Sequence, residues 1–360
     1  MDFEPTKMKR KPHHVVQSSA ADLLALGEIV ERFQGKRIVV LGDFVADSFQ
    51  YGEITRVSRE APVLILRHRE TRILPGGAAN ATNNFAALGA RVVPITAIGE
   101  DSAGDWLLQT FRDLNVDVSG IIRIKGGTTP TKTRFIAGWA HTVGHQVLRV
   151  DYEPISQIVD SSLRKKITQL LLARIRNADA LAISDYGFGV ATPEIVRRAA
   201  KLNKRRIPIS LDSRYQLMAF KNTGVTNATP NEAEVEALHN TIIGQNIPAL
   251  EGSGRQLLTE MKLKSLVITR GKDGMAVFQA DQPTVHIPVH GSDQAVDVTG
   301  AGDTVLAAFT LGLASGASPV EAAHIANIAG GLVVMKRGTA TVSRSELLDA
   351  IRQAASGVAS

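Results

Sequence analysis

Between Asp297 and Thr304 the chain reads Asp-Val-Thr-Gly-Ala-Gly-Asp-Thr, and an apolar segment of helical period follows over 305–313. Small residues let the backbone turn tightly there. A glycine-rich turn that opens a helix gathers free N–H groups and the positive end of the helix dipole at one point, where a phosphate or a developing anion binds. Asp303 stands inside that cradle and would repel a resident phosphate. Its place makes sense for a base that takes the proton of a hydroxyl attacking the phosphate. Gly300, Ala301 and Gly302 would frame the anion hole, although Gly-x-Gly before a helix is, as a bare pattern, also an ordinary turn. Two familiar phosphate sites are excluded by the letters. A dinucleotide fingerprint needs glycine at 305, where Val305 stands, and a Walker A loop needs a Gly-Lys-Ser/Thr run that the chain lacks.

The elements that must hold such a site are legible as an alternation. Short apolar runs over 38–41, 92–98, 180–184, 207–211 and 266–269 predict buried strands, and longer segments of helical period lie between them. Trp106, Leu107, Thr110, Phe111 and Leu114 share one helix face, as do Leu163, Ile167, Leu170 and Leu171, and both faces read as core packing. The pattern is that of an α/β fold with a mainly parallel sheet. The strand ends are polar: Asp43, Ser184-Asp185, Asp212 and Thr269-Arg270-Gly271. Ligands of open α/β sheets sit beyond the carboxyl ends of the strands, so these ends predict one shared site. Two stretches, 49–68 and 121–151, break the alternation and predict a small β-sheet lid over it. Residues 244–254, rich in Gly and Pro, read as a surface loop.

Composition removes other classes. The 360 residues, 44% hydrophobic and 21% charged, suit a soluble globular protein, and the absence of cysteine excludes disulfides, thiolate metal sites and cysteine nucleophiles. No apolar run approaches the roughly 18–20 residues a membrane helix needs. Lys7, Lys9, Arg10 and Lys11 are not followed by the apolar block of a signal peptide, so residues 1 to about 20 read as a disordered tail. The net charge of +6 is concentrated partly in Arg197, Arg198, Lys201, Lys204, Arg205 and Arg206, which have helical spacing and no interleaved aromatics. That favours a solvated helix face over a nucleic-acid groove.

From about residue 36 to about 348 the chain resembles the ribokinase-like (PfkB) family of carbohydrate kinases. The Asp-x-Thr-Gly-Ala-Gly-Asp-Thr run resembles that family's C-terminal signature, and Gly76-Gly77-Ala78-Ala79-Asn80 resembles its glycine-rich sugar-binding turn. Gly42-Asp43 with Asp47 resembles its first sugar-contacting strand end. Pro230-Asn231-Glu232-Ala233-Glu234 resembles the Asn-x-x-Glu motif of magnesium and phosphate placement, although Asn231 and Glu234 also read as a plain helix-start pair. A narrower likeness, to the kinases of D-glycero-D-manno-heptose 7-phosphate, rests on residues 56–63, 131–134, 148–151, 184–187 and 338–343. Phe188 stands where that group has lysine, and 137–145 departs from its arginine-containing lid strand.

The resemblance implies a ribokinase-like kinase domain over 36–348, with an N-terminal tail and short helix over 1–35 and a C-terminal tail over 349–360. It implies transfer from ATP with Mg²⁺, held by Glu234 through water, and leaves potassium open. Sugar contacts are implied for Asp43, Asp47, Gly76, Gly77, Asn80, Lys132, Arg134, Arg149 and Asp185, and nucleotide contacts for Asn231, Glu234, Thr269, Gly271 and Asn327. The implied reaction converts heptose 7-phosphate to heptose 1,7-bisphosphate for ADP-heptose synthesis. It would run in the cytoplasm, in a homodimer joined through the lid, with neither nucleic acid nor membrane as partner. The alternatives are a kinase of the same family for another sugar or a nucleoside, and a non-catalytic sugar or nucleotide sensor, which would have no need of a base at Asp303.

Overall fold

The computed structural model describes residues 14–15, 19–138, 144–154, 160–291 and 295–359. In chain order the strands are β1 (His14–Val15), β2 (Arg37–Gly42), β3 (Phe44–Val57), β4 (Leu64–Gly77), β5 (Arg91–Gly99), β6 (Ile121–Ile124), β7 (Thr131–Gly138), β8 (His145–Tyr152), β9 (Ala180–Asp185), β10 (Ile209–Ser213), β11 (Asn227–Ala228), β12 (Ser265–Thr269), β13 (Met275–Gln279) and β14 (Val285–Ile287). The helices are α1 (Ala20–Glu31), α2 (Ala78–Ala87), α3 (Ser102–Asp113), α4 (Ser161–Ile175), α5 (Pro193–Leu202), α6 (Glu232–His239), α7 (Ile247–Met261), α8 (Ala301–Ala314), α9 (Pro319–Val333) and α10 (Arg344–Ala359).

Ten strands form one sheet in the order β1-β14-β13-β12-β11-β10-β9-β2-β5-β6, parallel except where β13 meets its two neighbours. The central strands are buried on both faces, which explains their unbroken Ile, Val, Leu and Ala runs. One core layer packs α1, α2, α8, α9 and α10 against the sheet, and a second packs α4, α5 and α7 on the other face. The expected α/β class with a mainly parallel sheet holds. The carboxyl ends of β2, β9, β10 and β12 open on one side of it.

A second sheet of four strands, β4-β3-β7-β8, stands apart from the first. β3 leaves directly after Asp43 and β4 returns into α2 through Gly76 and Gly77, so the hairpin carries candidate site residues at its base. β7 runs parallel to β3 with Asp47 opposite Lys132 and Phe49 opposite Arg134, and β8 is antiparallel to β7 with Arg134 opposite Arg149. Opposed residues share a face, so Asp47, Lys132, Arg134, Arg149 and Asp151 line one side of this sheet.

Several boundaries differ from expectation. The lid hairpin runs the whole length of β3 and β4 rather than 49–68. Residues 121–124 are no part of the lid: they form β6, paired with Thr96–Gly99 at the edge of the main sheet. Of 244–254, residues 247–254 are helical, because Pro248 sits in the first turn of α7, where its missing N–H costs nothing. Gly254 is there for packing: a Cβ would stand 2.3 Å from the Phe278 ring. Leu114 is exposed, since α3 ends at Asp113.

The chain ends also differ. Residues 349–359 continue α10, and Ile351 is buried against α1 near Gly27, so this segment is packed helix. His14–Val15 pairs with Val285–His286, while the rest of the expected N-terminal tail up to residue 18, with its lysines, lies outside the described residues, as do 139–143 of the divergent lid stretch. The basic face of α5 and the turn after it is exposed, and Arg198 pairs with Glu194 at 3.0 Å. Among the described residues no helix is long and apolar enough to cross a membrane.

Candidate active site

α8 begins on Gly300, whose left-handed φ of 78° a side chain would strain, and a Cβ there would meet the Asn80 amide nitrogen at 2.4 Å. The N–H of Ala301 bonds back to the Val298 carbonyl at 3.3 Å and that of Thr304 to Gly300 at 3.3 Å. Ala301 is therefore not a free donor, whereas the N–H groups of Gly302 and Asp303 have no acceptor among the described residues. Gly302 faces open space, its nearest neighbour for a Cβ being the Asp212 carboxylate at 3.7 Å. An anion can approach the backbone there.

Asp303 is 2% exposed. Its Oδ2 accepts from Asn80 Nδ2 at 2.8 Å, while Oδ1, equally buried, has no partner among the described residues. Burial pushes its carboxyl up to about 7, with the charge of Asp47 adding to the effect; the Asn80 hydrogen bond, the Arg214 guanidinium and the nearby Tyr186 hydroxyl work against it. A buried acid poised near neutrality with one free oxygen is suited to take a proton from a substrate hydroxyl.

Over this helix start lies a cavity of ≈ 750 Å³, bordered by Asp185, Tyr186, Asp212, Arg214, Asn231, Glu234, Thr269, Gly300, Gly302 and Asp303. A narrower slot of ≈ 180 Å³ shares Thr269, Val298 and Gly302 with it and runs back between Gly271, Met275, Val289, Val305 and Asn327. The apolar lining and width of the slot suit a flat heterocycle, and the wider part suits phosphates. Asn327 donates to the Pro288 carbonyl at 2.8 Å, so its amide fixes the slot wall.

The acids at the wide end repel one another. Asp212 is raised well above the usual carboxylate range by burial, then by the charges of Glu234 and Asp303; Glu234 is raised mainly by burial. Asn231 and Glu234 do form the helix-start pair of α6, a reciprocal capping box, and border the cavity as well. Glu234 Oε2 accepts from the Asn231 N–H at 3.0 Å. A hydrated divalent cation between Asp212 and Glu234 would relieve the repulsion. Among the described residues no three acidic or histidine side chains converge to hold a metal directly, so water and nucleotide phosphate would complete its shell.

On the sugar side the structure sorts the expected contacts. Asp43 is turned inward: Oδ2 accepts from the N–H groups of Tyr186 and Phe188 at 3.0 and 3.1 Å, and Oδ1 from Val190 at 3.0 Å. It pins the 186–190 loop rather than facing a ligand. Asp185 likewise accepts from Ser213 Oγ at 2.7 Å and from the Gly187 N–H at 3.1 Å, tying that loop to the end of β10. Asp47 is 5% exposed and bonded to Arg134 at 2.6 Å, and the guanidinium also lies over the Phe49 ring. A Cβ on Gly76 would stand 2.4 Å from Asp47 Oδ2, and Gly77 has φ 56° with Asp43 and Tyr186 close by, so both glycines are required by contact.

The lid cations divide into two kinds. Arg149 is half exposed and turned to Asp151 at 2.8 Å, outside the centre of the site. Lys132 lies over the Tyr186 ring at 5.6 Å and has no carboxylate at ion-pair distance among the described residues. Its ammonium is pushed below the usual lysine range by burial and then by the neighbouring Arg214 charge. Tyr186 and the Asn84–Thr304 pair behind Asp303 were not singled out from the sequence; a tyrosine in a loop and an asparagine in a helix carry no signal there.

A glycine-opened helix with a buried acid, set at the strand ends of an open α/β sheet beneath a β lid, defines a small-molecule kinase. The family model described as pfkB family carbohydrate kinase matches residues 36–346. The chain belongs to this family, and the carbohydrate-kinase reading of the sequence holds. Among curated relatives it is 36% identical over 331 residues to the bifunctional protein HldE of Mesorhizobium japonicum, covering 91% of this chain and 64% of the relative. It is 38% identical over 311 residues to that of Geobacter metallireducens, covering 86% and 62%. The chain thus spans less than two thirds of the length of these relatives. Solved structures share the fold: Arabidopsis thaliana ribokinase complexed with ribose and ATP (TM-score 0.68, 19% identity, 88% of this chain and 99% of that one), and Escherichia coli phosphofructokinase-2 in complex with potassium (TM-score 0.70, 19% identity, 91% and 100%).

Proposed function

We propose that the protein transfers the γ-phosphoryl group of ATP to a hydroxyl of a sugar that already carries a phosphate, with heptose 7-phosphate, phosphorylated at carbon 1, as the acceptor. The observation that carries the transfer is the buried, unpartnered Oδ1 of Asp303 beside the free N–H groups of Gly302 and Asp303. Asp303 Oδ1 accepts the acceptor's hydroxyl proton as its oxygen attacks the γ-phosphorus. The two N–H groups and the dipole of α8 hold the charge on the transferring oxygens, and ADP departs along the slot toward Asn327. Asp212 and Glu234 would hold magnesium through water, and the ion would supply positive charge to the nucleotide phosphates.

The acceptor's phosphate is supported by Arg214, which borders the cavity, and the neighbouring Lys132 over the Tyr186 ring, two cations without a carboxylate in ion-pair reach among the described residues, an arrangement an anion between them relieves. The heptose reading also draws on the runs at 56–63, 131–134 and 338–343, and on the likeness to the HldE relatives over about nine tenths of this chain. In that reading the product feeds ADP-heptose synthesis in the cytoplasm, and the open edges of the lid pair two copies of the chain. A screen of phosphorylated and free sugars and nucleosides with ATP tests it. The phosphorylated sugar should exceed its free form at least tenfold in kcat/KM, about 1.4 kcal/mol. Equal rates, for which the Phe188 departure leaves room, favour a free-sugar or nucleoside kinase.

A further inference from the structure

We infer that Asn80 is a positioning residue for the base: with Asn84 and Thr304 it forms a buried relay from α2 to α8 that occupies one oxygen of Asp303 and leaves the other to the substrate. This rests on the reading of Asp303 as the base. Asn80 was expected to touch the sugar, but it is 0% exposed and its amide is fully engaged. Nδ2 donates to Asp303 Oδ2 at 2.8 Å and reaches the Gly300 carbonyl at 3.4 Å, and Oδ1 accepts from Asn84 Nδ2 at 3.2 Å. Asn84 Oδ1 in turn accepts from the Thr304 hydroxyl at 2.9 Å.

The relay has one polarity. An ionised carboxylate only accepts, so the amide nitrogen of Asn80 must face Asp303; its oxygen then faces Asn84, whose own oxygen is left for the Thr304 hydroxyl. Each asparagine is a donor toward Asp303 and an acceptor on its far side, an order in which hydrogen bonds strengthen one another. It starts and ends on α8, one residue apart, and passes through the helix that follows the Gly76-Gly77 turn. Rotation of the Asp303 carboxylate would therefore break the Asn80 bond and disturb the buried relay that links α2 to α8. The other charged or titratable groups facing Asp303 are Asp47 from β3, Arg214 after β10, Tyr186 after β9 and Asp212 on β10, and none of them belongs to the relay.

The pH profile of kcat/KM separates positioning from mere packing. A hydrogen bond donated to the ionised form lowers a carboxyl's pKa, so its loss should raise the pH at which the base becomes ionised. Asn80→Ala should move the acid limb of the profile upward by roughly one unit and lower the plateau kcat about tenfold to a hundredfold. Thr304→Val, nearly isosteric, should move the limb in the same direction by a smaller amount, and Thr304→Ser should restore the wild-type limb. Ionisation of ATP and of the acceptor is common to all the proteins and cancels in the comparison. Asp303→Asn is measured alongside: if it retains normal turnover, the base reading fails whatever the relay does. If it is inactive while Asn80→Ala and Thr304→Val, both folded by thermal melting, titrate as wild type or shift downward, the relay inference is overturned and the base reading stands. Should Asn80→Ala not fold, the Thr304 pair decides alone.

Discussion

At Asp303 the proposed base is kept in a place where its ionised form is disfavoured, and both activity and stability should register the conflict. Asp303→Asn should leave ATP affinity, read by calorimetry, nearly unchanged while kcat falls by about 10² to 10⁴, the range a positioned base contributes. A kcat within a few-fold of wild type would remove Asp303 from the chemistry. Burial pushes the folded carboxyl from the ordinary 3.8 up to about 7, so the stability linked to its proton is present below pH 3.8 and is lost as pH rises through 7. Asp303→Asn should accordingly melt higher than wild type at pH 8, by on the order of 1–4 kcal/mol, with the gap closing toward pH 4. A pH-independent gap would mean that the asparagine acts through packing instead. The roles of neighbouring acids were less legible. Asp43 and Asp185 end strands just as a ligand-binding acid does, but their partners are backbone N–H groups and a serine brought near only by the fold.

Glycines mark the places where elements meet the site, and their spacing was the part of it most legible in the sequence. Gly76 has an ordinary φ; what it lacks is room, since a Cβ would reach Asp47 Oδ2 at 2.4 Å. Gly76→Ala should push Asp47 off Arg134 and raise the acceptor KM about tenfold or more, with the ATP KM unchanged, because the nucleotide slot is lined by other elements. A parallel rise in both KM values would show general disruption. The same residue type misled at α7, where Gly252, Gly254 and Pro248 read as loop punctuation. Their meaning depends on a Phe278 ring two strands away, and on proline being tolerated in a first helical turn. β6 was misassigned for a related reason: four apolar-rich residues pair as readily at the main sheet's edge as in a lid, and only the tertiary contact with β5 decides.

On the scale of the molecule, the two sheets divide the labour. The ten-stranded sheet and its helices present Asp303, the N–H groups and the nucleotide slot, while the four-stranded sheet presents Asp47, Lys132 and Arg134 from above. Among the described residues the lid meets the site through side chains at its base, so most of β3, β4, β7 and β8 is not needed to position the proposed base. We propose that it serves to exclude water: a γ-phosphate beside a poised carboxylate is open to attack by any hydroxyl that reaches it, and water is the most abundant one. Replacing residues 135–148, the outer parts of β7 and β8, by a short Gly-Ser link should therefore leave the slot, Asp303 and the Asp47–Arg134 pair in place while opening the acceptor side. Acceptor phosphorylation should fall, and ATP hydrolysis without acceptor should rise relative to it by about tenfold or more, as read by ADP release against sugar phosphate formed. If both rates fell together and their ratio stayed at the wild-type value, the sheet would serve only to pair two chains, and protection of the transferring phosphate would have to come from the main body alone.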